Sequence, residues 1–79
     1  MITYEEYLAA IGDYRATRPE QRAGQASFNV LAQLRPDLSE DIRGTLLDPF
    51  YLRSSNVRDR VLLKEFFLHI KNNWKVDNG

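Results

Sequence analysis

The sequence predicts an all-α protein: one compact four-helix domain over residues 1–79, with helices at about 4–17, 19–34, 38–43 and 56–74 and an ordered 44–55 loop. Three observations predict it. Apolar residues recur at the three-and-four spacing of a helical face, and nowhere with the alternation of a strand. Proline, glycine and capping residues punctuate those runs where helices should start and stop. At 79 residues the chain can fill one core and not two, since chains of this size bury about 60–65% of their unfolded surface.

The first helix is announced by Thr3 with Glu6 three residues later, a capping box in which hydroxyl and carboxylate each satisfy a free amide. Tyr4, Tyr7, Leu8, Ile11 and Tyr14 then share one face, and Glu5 and Glu6 sit at the positive end of the helix dipole. Core packing is the expected role of the three tyrosines, ahead of an aromatic recognition surface. Pro19 breaks the chain after Arg18 and is well placed in the first turn of a second helix, so the two helices should form a hairpin. Ala23, Ala26, Ser27, Val30, Leu31 and Leu34 line its inner face, with Phe28 at the edge.

Pro36 ends that run, and Asp37-Leu38-Ser39-Glu40 offers the next cap. The short third helix should close at Gly44, which can take positive φ, with Leu38, Ile42, Leu46 and Leu47 pointing inward. Asp48-Pro49 opens a turn whose carboxylate can accept from the following amides. Ser54, Ser55 and Asn56 offer the cap of the last helix, and 76–79 is expected to be a frayed tail.

The last helix carries more apolar residues than one buried face requires. Leu62, Leu63, Phe66, Phe67, Ile70 and Trp74 form a broad stripe suited to covering the first two helices, while Val57, Val61 and Leu68 form a narrower one among the charges. Either the segment 38–51 lies over the narrow stripe or a partner does. Val57, Val61, Leu68 and Trp74 are therefore the candidate partner surface.

Composition narrows the function. Apolar residues make up 43% and charged residues 28%, which places the chain among globular domains. The formal net charge is zero but segregated into blocks of alternating sign, which favours acidic segments packing beside basic ones and lowers the expectation of a surface-wide nucleic-acid field. With no cysteine there is no disulfide framework, zinc cluster or thiol nucleophile. His69 is the single histidine; Glu65 one turn away would make half a metal site, with nothing to complete it. No phosphate-binding glycine motif is present. The expectation is a protein that is not an enzyme, with no catalytic residues, metal or cofactor. The N-terminus has neither a basic nor an apolar leader region and no apolar run is long enough to span a bilayer, so no membrane partner is expected.

A nucleic-acid alternative rests on Arg60, Lys64, Lys71 and Lys75, which fall in one arc of the last helix. A helix-turn-helix reading of the second and third helices fits poorly, because the third is short and acidic.

Arg22-Ala23-Gly24-Gln25-Ala26-Ser27-Phe28-Asn29-Val30-Leu31, then Arg35-Pro36-Asp37-Leu38, Ile42-Arg43-Gly44-Thr45 and Asp48-Pro49-Phe50-Tyr51, compose the pattern R-x-G-Q-x-x-F-N…G-T-x-x-D-P-F. In this pattern the chain resembles small proteins of tailed bacteriophages, including cyanophages, most of which have no assigned activity. The resemblance implies a context rather than a reaction: a phage accessory or host-interaction protein in the host-cell cytoplasm. It would act by protein–protein binding on a host or phage protein or on itself, as an inhibitor or a homodimer; a structural virion component is a further alternative. Physically, Gln25 and Asn29 lie four apart and are expected to tie down the 44–51 loop together with Thr45 and Asp48, as a structural polar network. A binding pocket built from the same four groups is the alternative.

Overall fold

The first helix, α1, runs Tyr4–Thr17 and begins as its capping box requires: the Thr3 hydroxyl accepts from the Glu6 amide at 3.1 Å and the Glu6 carboxylate accepts from the Thr3 amide at 3.0 Å. The latter bond holds the Glu6 carboxyl below its ordinary pKa. The computed structural model describes residues 2–74, with three further helices, α2 (Ala23–Leu34), α3 (Pro36–Ile42) and α4 (Val57–Asn73), and no strand among those residues. The tail at 76–79 and Lys75 of the basic arc lie outside the described residues.

The second helix starts four residues later than its proline suggests. Residues 18–22 form a turn in which the Gln21 amide donates to the Arg18 carbonyl at 3.2 Å. The amide of Gly24, which a helix beginning at Pro19 would turn back onto Glu20, donates instead to the Leu52 carbonyl at 3.0 Å. This bond joins the start of α2 to the α3–α4 connection, and Gly24 makes it possible: a Cβ there would collide with the Pro49 carbonyl oxygen. The third helix starts two residues early, with Pro36 in its first turn, where the missing amide costs nothing. Asp37 is inside that turn rather than ahead of it, paired with Arg35 at 2.9 Å. The Asn56 side chain caps α4 by accepting from the Asp59 amide at 3.2 Å.

α1 and α2 form the expected hairpin, and α3 folds back against α2. α4 closes the core with Phe66 and Ile70, which cluster with Tyr7, Ile11, Val30 and Leu31 from the hairpin and Leu38 and Ile42 from α3, and Leu63 is buried on the same side of the helix. Tyr7 is completely buried and donates to the Ser27 carbonyl at 2.8 Å; burial raises its phenol pKa far above the ordinary range. Tyr4 and Tyr14 are half-buried against the same core, so the three tyrosines pack inward with Ile11 as the spacing predicts, whereas Leu8, read onto the same face, is 41% exposed.

Trp74 is 8% exposed, stacked on Tyr7 with ring centroids 5.2 Å apart, and its indole donates to the Ile2 carbonyl at 3.0 Å. It locks the end of α4 to the segment preceding α1 and offers nothing to a partner, which removes it from the candidate surface. Phe28 is likewise deeper than its wheel position suggests, because Phe50 from the loop covers it edge-to-face at 6.0 Å.

The 44–55 loop is ordered by local hydrogen bonds. Gly44 takes φ +74° and its amide donates to Asp48, whose other carboxylate oxygen accepts from the Phe50 amide at 3.0 Å. Thr45 and Asp48 thus brace the loop as expected. Leu46 does not point inward: the Thr45–Asp48 turn carries it at its tip, 101% exposed, while Leu47 packs on the core edge.

Candidate functional site

α4 has two faces with opposite fates. Leu63, Phe66 and Ile70 are 7%, 0% and 0% exposed, whereas Val57, Val61 and Leu68 are 68%, 55% and 56% exposed. The segment 38–51 therefore does not cover the narrow stripe; Leu38 and Ile42 turn into the core and Leu46 into solvent. Three of the four candidate partner residues lie along one open face of a helix whose other side is fixed by the core.

The same face carries the described part of the basic arc. Arg60, Lys64 and Lys71 are all exposed along one edge of the stripe. Ion pairs among the described residues are Arg35–Asp37 at 2.9 Å and Arg43–Glu40 at 3.1 Å, both between near neighbours in sequence. Among the described residues the alternating charge blocks thus form no ion pair across the fold, and neither of these pairs involves Arg60, Lys64 or Lys71. Arg35, by contrast, holds the Asp37 carboxyl below the usual carboxylate range through its hydrogen bonds.

On the other edge of the stripe lies a groove of about 680 Å³ between the C-terminal half of α4 and the turn after α3. Glu65, His69 and Asn73 form its α4 wall, and Asp41, Ile42, Leu46 and Leu47 form much of the opposite one. The Asn73 amide donates to the His69 carbonyl at 2.8 Å, and no described residues gather three or more His, Cys, Asp or Glu positions fit for a metal ion. Sequence reasoning did not find this groove. Its one legible signal was the Leu46-Leu47 pair beside Gly44, two adjacent large residues that a tight turn must send in different directions.

The four groups expected to form one polar network divide. Asn29 donates to the Tyr14 hydroxyl at 3.3 Å and to Gln21 at 3.4 Å, facing α1 and the 18–22 turn rather than clamping the loop. Asp48 bonds within its own loop, Thr45 accepts from the Leu47 amide and donates to the Ile42 carbonyl at the end of α3, and Gln25 joins neither set among the described residues. The clamp between α2 and the loop is the backbone bond from Gly24, with the Arg22 guanidinium lying 5.7 Å over the Phe50 ring and 5.3 Å over the Tyr51 ring. Asn29 and Asp48 do share a shallow pocket of about 360 Å³ with Phe28, Phe50 and the exposed Tyr51.

Among the described residues no helix is long and apolar enough to cross a membrane. No protein-family model, curated protein or solved structure matches the chain.

Proposed function

We propose that the chain works by binding another protein through the outer face of α4. The observation that carries this reading is the exposure of Val57, Val61 and Leu68, 68%, 55% and 56%, on a helix already anchored from behind by Phe66 and Ile70. Single exposed aliphatics are ordinary; a row of them along three turns of one helix, rimmed by charge, is the usual mark of a docking surface. In the phage setting that the 22–50 pattern implies, the protein is an accessory factor in the host cytoplasm that engages a host or phage protein as an inhibitor, or pairs with itself.

The test is affinity capture with the tagged chain beside a Val61→Asp, Leu68→Asp double variant. A protein held by the parent and released by the variant supports the reading; identical capture by both, or none by either, contradicts it. Size measurement in solution at micromolar concentration decides self-association, with a strict monomer leaving a foreign partner.

A second reading follows from the exposed Arg60, Lys64 and Lys71, which could contact phosphates. Net charge is zero, so the phosphate-driven part of such binding would be small. Salt-dependent binding of duplex or single-stranded DNA would favour this reading, and none even at low salt would remove it.

A further inference from the structure

We infer that the outer face of α4, with the groove beside it, takes an amphipathic helix whose edge toward Lys64 and Lys71 is acidic, and that a second copy of this chain does not fit there. The inference rests on the protein-binding reading and names the partner's chemistry.

At about 100° per residue, Val57, Leu68 and Val61 fall within about 40° of one another on α4, and Lys64, Lys71 and Arg60 take the next 60° or so on one side. On the other side come Glu65, the exposed Arg58 and then His69, with Glu65 and His69 leading into the groove that Ile42 and the fully exposed Leu46 also line. A ligand lying along α4 therefore meets a basic row, an apolar row, and a groove in which Leu46 and Leu47 stand among Asp41, Thr45, Glu65 and His69. The complement is a helix with one apolar ridge, a large apolar side chain to enter the groove, and carboxylates on the edge facing Lys64 and Lys71. Val57 to Leu68 spans about 16 Å of helix, so about four turns of partner suffice.

A second copy does not match this pattern. Antiparallel pairing of two α4 helices sets each basic row against the other; parallel pairing sets Lys64 beside its own copy in the seam between Val61 and Leu68, and the facing edge offers each basic row a single carboxylate, Glu65, flanked by Arg58. Either arrangement juxtaposes like charges, which interfaces avoid. Nucleic acid matches it no better, because the apolar row and the groove carboxylates contribute nothing to phosphate and the carboxylates repel it.

The test is a displayed library of helical peptides about 16 residues long, with a fixed leucine ridge and both edges randomised between Glu and Lys, selected on the full chain at low salt. Sequencing should show Glu enriched over Lys by about tenfold on one edge, with the preference inverted on a Lys64→Glu, Lys71→Glu variant and binders lost on Leu68→Asp. Enrichment of Lys, no preference, a preference unmoved by the charge reversal, or no binders at all overturns the inference. Binders that depend on Leu68 but show no edge preference overturn the partner's chemistry while leaving the protein-binding reading standing. Loss of that reading is registered separately, by capture indifferent to Val61 and Leu68.

Discussion

The two apolar stripes of α4 are built from similar residues and do opposite things. The inner one, Leu63, Phe66 and Ile70, is buried, with Phe66 and Ile70 clustered against residues of the three other helices; the outer one, Val57, Val61 and Leu68, is left to solvent by a loop that turns away at Leu46. Hydrophobicity alone does not separate them. What separates them is the path of the 44–55 connection, which is tied to the start of α2 by the Gly24–Leu52 bond and does not lie over α4's outer face. The core contacts and the proposed binding face thereby lie on opposite sides of one helix, and substitutions on the two sides should behave differently.

The largest effect is expected at the centre of the inner stripe. Phe66→Ala removes a wholly buried ring and should cost about 3–5 kcal/mol, a large part of the total for a domain this small, read by chemical denaturation. Gly24→Ala should follow at about 1–3 kcal/mol, because the new methyl meets the Pro49 backbone, which has no flexible side chain to move aside. Its circular dichroism should keep all four helices while the melting point falls. Tyr7→Phe keeps the packing but deletes the hydrogen bond to the Ser27 carbonyl, for a loss of about 0.5–1.5 kcal/mol. On the outer stripe, Val61→Asp with Leu68→Asp should change stability by no more than about 0.5 kcal/mol each while abolishing partner capture.

The smallest effect is electrostatic. Asp37 is a carboxyl whose pKa is lower folded than unfolded, so its contribution is present above the unfolded value and is lost as pH falls through the folded one. The pair is largely exposed, so Asp37→Asn should cost less than about 1 kcal/mol at neutral pH and nothing in acid below the folded pKa. Melting curves of parent and variant across that range should converge as the pH drops.

The sequence made legible what local chemistry decides. The Thr3–Glu6 capping box, the Asn56 cap, positive φ at Gly44 and the Asp48 turn depend on groups within a few residues of one another, and each is found in place. What depended on distant partners was misread. The start of α2 is set by Leu52, nearly thirty residues away, which no capping rule consults. Trp74 was legible as part of the broad covering stripe, but its place in the partner surface was wrong, because its partners, Ile2 and Tyr7, lie at the far end of the chain. Asn29 has the spacing to reach a loop, but helical register aims it at Tyr14. The site was legible in part: Val57, Val61 and Leu68 were visible as a stripe, whereas the groove depends on the direction in which Leu46 leaves its turn.

The absence of cysteine permits a direct measurement of the difference between the two faces. Single substitutions Val61→Cys, Leu68→Cys and Leu63→Cys can each be labelled with a thiol reagent under native conditions. Val61→Cys and Leu68→Cys should react within a few-fold of an unfolded control, and Leu63→Cys should be slowed by the opening equilibrium of the core. Protection at positions 61 and 68 comparable to that at 63 would mean that the outer face of α4 is closed, and would contradict the account.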